Sequence, residues 1–284
     1  MNKIVAGIDG SQAALAVCAA AAWASQQLQT PVLALHVLDK SEFPTERDLS
    51  GNLGLGAQEH LLEELAALDS QRSKLALQQG KLQLKAAREQ LESDEAFAVE
   101  TLQRHGSLTD TIQELEEDTR LVIVGRKGET HANDLHTVGS HLENVIRVAR
   151  KPLLVTVHEF RKPRNFMLAF DNSKTAKAAL TRVAESPLLK GLPCHLVMVG
   201  DDTSERRSQL EAAQQELENA GFSVTGIVQP GESVATVLVN YARDKQVDLT
   251  VMGTHGHSRI RKFFVGSNTS ELLRQTDTAT LVLR

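Results

Sequence analysis

The octapeptide LTVMGTHG at residues 249–256 returns in altered form as LVIVGRKG at residues 121–128. In each copy an apolar run ends at a glycine, Gly253 or Gly125, and a second glycine follows three residues later. A short apolar run bounded by such a loop is typical of a buried strand in a parallel sheet, because helices cover both of its faces. The recurrence predicts a fold built from two similar units.

Further matches lie on both sides of this pair and keep their order along the chain. The segment IVAGIDGSQAALA resembles FMLAFDNSKTAKAAL and aligns Asp9 with Asp171, while LALHVLD and CHLVMVGDD align Val37 with Val199. The separation between copies falls further along because the first copy carries roughly 35 extra residues in one connection. A duplication with one expanded crossover predicts this arrangement.

Short apolar runs alternate with helical patterns in both copies, which predicts an α/β fold of two tandem doubly wound domains. The first domain covers 1–158 and the second covers 165–284, joined by a polar linker around HEFRKPRN, residues 158–165. Each domain is expected to hold a five-stranded parallel sheet with helices on both faces. The predicted strands lie near 3–8, 32–38, 96–102, 121–124 and 152–157, then 167–171, 195–200, 223–228, 248–252 and 279–283; helices of the second copy lie near 174–186, 204–220, 232–245 and 267–275.

The expanded connection, near 39–92, begins with a glycine-rich stretch and then turns helical. Arg72 and Gln79 interrupt the alternate seam positions of a heptad, so sustained coiled-coil spacing is absent. Two interpretations stay open: an elongated crossover helix that covers the sheet and the neighbouring domain, and a partner-binding or dimerisation helix. The leucines that keep one face are Leu61, Leu65, Leu68, Leu75 and Leu82.

Composition narrows the classes of protein that fit. The net charge of −5 and the pI of about 6.1 provide no global attraction to nucleic acid or to an anionic membrane. Cys18 and Cys194 belong to no C-x-x-C motif, which argues against a disulfide framework or a thiolate metal site. The apolar stretch at 13–24 is too short to span a bilayer and lacks a preceding basic region. A cytoplasmic protein is therefore expected.

The loop that follows the apolar run at 249–252, in the second copy, has the features of an anion site. Gly253 and Gly256 allow backbone N–H groups to approach an anion, and Gly266-Ser267 opens a helix whose unpaired N–H groups favour phosphate. Asp171, at the end of a predicted strand, has the chemistry to hydrogen-bond a nucleoside. A plain alternative exists, since such glycines often only make a turn and such an aspartate often only caps a helix.

The spacing Gly253-x2-Gly256-x9-Gly266-Ser267, with Asp171 ending the first strand of the copy, resembles the ATP-binding signature of universal stress proteins. The whole chain apart from the inserted helix resembles a tandem bacterial member of that family. The resemblance implies an adenine nucleotide alpha hydrolase-like, Rossmann-like fold. It also implies pairing between the last strands of the two domains, at 152–157 and 279–283, in addition to a possible homodimer.

The same resemblance implies an ATP site, with or without Mg²⁺, held mainly by the C-terminal domain. Asp171 and the main chain of Val199 would lie on the adenine side. The positions around ribose and phosphates would be Gly253, Gly256, His257, Gly266, Ser267, Asn268 and Thr269. The corresponding first-domain positions, ranked below these, are Asp9, Val37, Gly125, Gly128, Gly139 and Ser140.

The first-domain loop, GRKGETHANDLHTVGS, departs from the signature. It has ten residues instead of nine between its last two glycines, and it has Leu142 where the second copy has Thr269. Glu129 and Asp134 would repel a triphosphate. Arg126 and Lys127 are expected to offset this repulsion in part. This site is therefore expected to be empty or reshaped.

Other chemistry is weakly supported. His131, His136 and His141 suggest a metal site, but their spacing favours solvated loop histidines, and no metal is expected. There is no G-x-S-x-G elbow and no Walker motif. The leading hypothesis is a stress-response protein for which ATP is a conformational ligand toward an unknown protein partner. The alternatives are a slow ATP hydrolase using Asp171 or a loop histidine, and an ATP-independent scaffold using the inserted helix; nucleic acid and membrane are not expected as partners.

Overall fold

A computed structural model describes residues 2–38, 55–126, 140–254 and 267–284. Inside the helices, the side chains of 55–63, 69, 140–141 and 267–268 lie outside that description. Within these ranges, no helix combines the length and the apolar character needed to cross a membrane.

The predicted alternation of strands and helices is present in both halves of the chain. The first half contains β1 (Lys3–Gly7), α1 (Ala13–Leu28), β2 (Val32–Leu38), α2 (Leu55–Ser93), β3 (Val99–His105), α3 (Leu108–Glu114), β4 (Thr119–Gly125), α4 (Ser140–Val148) and β5 (Leu153–Thr156). The second half contains β6 (Phe166–Ala169), α5 (Lys174–Glu185), β7 (Cys194–Val199), α6 (Ser204–Asn219), β8 (Val224–Gln229), α7 (Val234–Asp244), β9 (Leu249–Gly253), α8 (Ser267–Gln275) and β10 (Ala279–Leu283).

Strand β3 is displaced from its expected position. It was predicted near 96–102 and lies three residues later, because α2 continues to Ser93 and a turn follows. Glu95 occupies that turn with a left-handed φ of 59°. The apolar pattern alone did not locate the end of the long helix.

The ten strands of the described ranges form one sheet, in the order β3-β2-β1-β4-β5-β10-β9-β6-β7-β8. Neighbours within each half are parallel, and the two halves meet through antiparallel pairing of β10 with β5. Leu281 lies opposite Leu154 at this seam, so the expected pairing of last strands is present and two strand edges are covered. In each half the strand order reverses beside the first strand, and in such sheets a ligand crevice lies there, at the carboxyl ends.

Helices cover both faces of the sheet, as predicted. One core layer joins buried residues of α1, α2, α5 and α6, and the other joins those of α3, α4, α7 and α8. Each layer contains residues of both halves, including Ile4 with Phe166 in the first layer and Val122 with Met167 in the second. The halves therefore share their hydrophobic cores.

Helix α2 lies on its own half of the sheet, where it packs on α1, β2 and β3. Gly80 makes a close approach: a Cβ there would lie 2.3 Å from Nε2 of Gln103 and 2.6 Å from Cε1 of His36. Among the described residues, the main contacts of α2 stay within its own half, which differs from the expectation that an elongated crossover helix also covers the neighbouring domain.

Candidate functional site

Three predicted positions of the second half meet at one edge of the sheet. Strand β6 lies between β9 and β7. Asp171 follows the carboxyl end of β6, Gly253 ends β9, and Val199 ends β7. Since neighbouring strands are about 4.8 Å apart, the three positions border a single crevice. The first half repeats the arrangement with Asp9, Gly125 and Val37.

The Asp171 carboxylate shapes the turn between β6 and α5. Its Oδ1 accepts a hydrogen bond from the Ser173 backbone N at 3.0 Å, while Asn172 adopts a left-handed φ of 59°. Ser173 then caps α5, because its Oγ accepts from the Ala176 N at 3.2 Å. The Asp171 side chain is exposed, and within the described part of the chain this turn engages Oδ1 alone. Oδ2 therefore remains accessible to a ligand.

Asp9 has the same local role in the first half. Its Oδ1 accepts from the Ser11 N at 3.0 Å and from the Ser11 Oγ at 2.5 Å. Ser11 Oγ in turn accepts from the Ala13 N at 3.2 Å, at the start of α1. The turn-forming role of the aspartate is thus common to both halves and does not distinguish them.

The main chain of Val199 faces the end of β6. Phe170 N donates to Val197 O at 2.9 Å on one side of β7, whereas Gly200 N donates to Gln229 O at 2.8 Å on the other. Because successive residues of a strand alternate between its two neighbours, the N–H and C=O of Val199 point toward the β6 side. Strand β6 has already ended at Ala169, so this donor and acceptor border the crevice.

Val37 is equivalent in the first half. Leu35 O accepts from Ile8 N at 2.8 Å on the β1 side, and Leu38 O accepts from Gly106 N at 3.1 Å on the β3 side. The main chain of Val37 therefore points beyond the end of β1.

Gly253 is required by packing rather than by an unusual backbone angle. A Cβ at this position would lie 2.5 Å from the Thr175 carbonyl oxygen and 3.2 Å from Ala179 Cβ. The missing side chain lets the first turn of α5 lie directly against the end of β9. The glycine thereby brings a helix N-terminus to the crevice.

The residues after the two strand-ending glycines differ in chemistry. Thr254 follows Gly253; its N donates to Leu283 O at 2.8 Å, and its buried Oγ1 has no hydrogen-bond partner among the described residues. In the first half Arg126 occupies the equivalent place.

The Arg126 side chain is directed to the other half of the chain. Its side chain is buried across the seam, where Nη1 donates to Leu273 O at 3.2 Å and to Thr276 O at 2.5 Å, at the C-terminal end of α8. Burial lowers the pKa of Arg126 and the Asp277 carboxylate opposes that shift; an arginine stays charged under either influence. The cation therefore caps a helix of the other half, while the carboxylates that it was expected to offset, Glu129 and Asp134, lie outside the described residues.

Thr269 lies in the first turn of α8 and is 5% exposed, while the equivalent Leu142 in α4 is 4% exposed. This position is therefore buried in both halves, and either threonine or leucine can occupy it. Ser267 and Ser140 are the first residues of these two helices. The remaining predicted loop positions, and the Asn268 side chain, lie outside the described residues: Gly128, Gly139, Gly256, His257 and Gly266.

Arg206 is a neighbour of the crevice that sequence reasoning missed. Its guanidinium lies over Gly200, where a Cβ would be 2.7 Å from Arg206 Cζ, and Nη1 donates to Asp201 O at 2.8 Å. The signal was weak, because Arg206 belongs to the charged first turn of α6. The next arginine, Arg207, donates through Nε to Asp202 Oδ1 at 2.6 Å and lowers the pKa of that carboxyl.

Nucleophilic and metal chemistry find no support in the described ranges. Burial raises the pKa of Cys18 and of Cys194 to about 12, so both thiols stay protonated and unreactive. No group of three or more histidine, cysteine, aspartate or glutamate side chains is placed to hold a metal ion in those ranges. His131 and His136, and the side chain of His141, lie outside them.

Comparison with known proteins defines the class. Residues 1–157 and 198–284 match the Universal stress protein family. Universal stress protein Slr1230 of a Synechocystis strain is 34% identical over 288 residues, which covers 100% of this chain and 100% of that protein. The chain therefore belongs to the universal stress protein family.

Solved structures agree on the fold. The crystal structure of a universal stress protein from Archaeoglobus fulgidus covers 100% of this chain and 96% of its own, with 15% identity and a TM-score of 0.67. A universal stress protein solved in complex with cAMP covers 43% of this chain, with 20% identity and a TM-score of 0.37. The full-length match shows the fold shared by both halves.

Proposed function

We propose that the chain binds ATP, mainly in its second half, and that the bound nucleotide is a conformational ligand in a stress response. The observation that carries the proposal is the main chain of Val199, directed past the end of β6 beside the exposed Asp171 carboxylate. A fixed N–H and C=O pair matches the donor and acceptor edge of adenine. A carboxylate beside it is suited to accept from a ribose hydroxyl.

Support for the phosphate side comes from α8. This helix starts at Ser267, directly after the last glycine of the loop, and its first N–H groups and positive dipole end favour an anion. The Oγ1 of Thr254, which has no partner in the described part of the chain, adds a buried hydroxyl at the start of the same loop. Such a hydroxyl is costly to leave without a partner, so a ligand contact there would be stabilising.

The first half is less suited to the same ligand. Arg126, in the place of Thr254, is committed to the carbonyls of Leu273 and Thr276. Its loop also carries two carboxylates and one extra residue. We infer weaker nucleotide binding there, or none.

The bound nucleotide would act by population shift. Helix α8 would be held at its N-terminus by phosphates and is held at its C-terminus by Arg126 of the first half. A ligand that stabilises one position of α8 thereby stabilises the seam between the halves, by an amount that grows with ligand concentration above Kd. Any Mg²⁺ would be bound chiefly by the phosphates and water. We place the protein in the cytoplasm, in keeping with two free, buried thiols.

A matched pair of substitutions tests the proposal. Asp171→Asn and Asp9→Asn each keep a side-chain oxygen for the turn and remove one negative charge, so their structural effects should match. We expect Asp171→Asn to weaken ATP binding about tenfold, the loss of one charged hydrogen bond, and Asp9→Asn to leave it unchanged. Equilibrium titration with a fluorescent ATP analogue measures both. Equal effects of the two substitutions, or no binding by the unaltered protein, would contradict the assignment.

A further inference from the structure

Helix α2 presents leucines on two opposite faces. The inner face is packed against the sheet and α1 through Gly80, Leu84, Ala87 and Leu91, all buried. The outer face carries Leu68, Leu75 and Leu82, which are 51%, 58% and 68% exposed. A surface helix ordinarily needs one apolar face, so the second leucine row is unexplained by the fold of a single chain.

The N-terminal part of α2 has little packing of its own. All described side chains from Glu64 to Leu75 are exposed, although the helix is continuous there. Isolated helices are marginally stable in water because most helical stability in proteins comes from packing. A stretch of this kind is stabilised when its apolar row is covered.

Charge along α2 indicates what covers it. By sequence, residues 55–70 contain four carboxylates and no lysine or arginine, whereas residues 71–88 contain five lysines and arginines and no carboxylate. Two such helices attract each other when they run antiparallel and repel each other when they run parallel. The helix is complementary to an inverted copy of itself.

We propose that the outer face of α2 pairs with the same face of a second copy of this chain, antiparallel and centred near Arg72. Position 68 then lies level with position 75 of the other copy, and position 61 with position 82, so leucine meets leucine at four levels. One acidic position also becomes level with a basic position, 69 with 74. The contact spans about 33 Å of helix, at 1.5 Å per residue.

Arg72 and Gln79 on the same row limit the strength of this contact. Near the two-fold centre, the aliphatic part of Arg72 covers apolar surface while its charge reaches water. We therefore expect a reversible dimer through one short helix pair instead of a long coiled coil. This interface uses neither the seam strands nor the nucleotide crevice.

Sedimentation velocity of the full chain up to about 100 μM tests the association, because dimer formation depends on concentration. We expect a species of about twice the 31.0 kDa chain mass. The double substitution Leu68→Gln and Leu75→Gln should raise the dimer dissociation constant at least about tenfold. Leu15→Gln is the matched control, since Leu15 of α1 is as exposed as Leu82, at 68%.

Charge reversal separates self-pairing from any other partner. Lys74→Glu should weaken the dimer, because each copy then meets like charge at position 69. Adding Asp69→Lys to the same chain should restore it. A merely structural role for these residues gives no such rescue, and thermal melts check that each variant is folded.

Cross-linking fixes the orientation. Arg72→Cys should form a disulfide between copies, whereas Leu82→Cys should not, since its two copies lie far from the centre on opposite sides. The native thiols are buried and do not interfere. A monomer throughout the concentration range, a dimer unaffected by the leucine changes, failure of the charge rescue, or binding of α2 to anionic vesicles in place of self-association would each overturn the proposal.

Discussion

The two halves differ most informatively at one residue, the one that follows each strand-ending glycine. In the second half it is Thr254, whose buried hydroxyl has no partner within the described ranges. In the first half it is Arg126, which donates to the carbonyls at the end of α8. The same position therefore borders the crevice in the second half and links the two halves across the seam in the first.

Arg126 is expected to stabilise the folded chain. Arg126→Met would leave the carbonyls of Leu273 and Thr276 without their charged donor, and we expect the free energy of unfolding to fall by about 1.5–3 kcal/mol. Urea denaturation measures the loss. Arg274→Met is the control, because within the described residues Arg274 forms an exposed ion pair with Glu143 at 3.4 Å; its loss should cost less than about 1 kcal/mol. Equal losses for the two variants would refute the capping role.

At the scale of elements, α2 offers a direct comparison of its two faces. Leu84→Ala removes a buried side chain and should lower the free energy of unfolding by about 2–4 kcal/mol. Leu82→Ala removes an exposed one and should change the stability of the monomer by less than about 0.5 kcal/mol. Denaturation at a concentration low enough to keep the chain monomeric isolates this difference. A large loss from Leu82→Ala would mean that the outer face is packed within the chain.

Most elements were predictable from sequence, because short apolar runs and helical periodicity recur twice in the same order. The boundary between α2 and β3 was not, since a helix that ends without a glycine or proline gives no stop signal and the turn relies on Glu95. Which face of α2 packs on the sheet was also not predictable from the sequence. Leucines at 68, 75 and 82 read as one face, while Gly80 marks the inner face only through its contact with Gln103.

At the scale of the whole molecule, the site was partly predictable. Asp171, Val199 and Gly253 lie together because each follows or ends a strand beside the reversal of strand order. The inward direction of Arg126 was not predictable, because it depends on how the second half docks on the first. The spacing of nearby residues in the sequence does not show how the two halves dock. A cation after a glycine is as consistent with an anion site as with a contact between the halves.

The central claim is that ATP binds through the glycine loop of the second half. Isothermal titration of Mg-ATP into three proteins tests it most directly: the unaltered chain, Gly266→Asp and Gly139→Asp, each checked for unchanged thermal unfolding without ligand. A carboxylate at the start of the phosphate-binding helix repels phosphate, so position 266 should matter and its counterpart at 139 should not. The account predicts binding by the unaltered chain and by Gly139→Asp, with none by Gly266→Asp. Binding lost only in Gly139→Asp, or absent from all three, would contradict it.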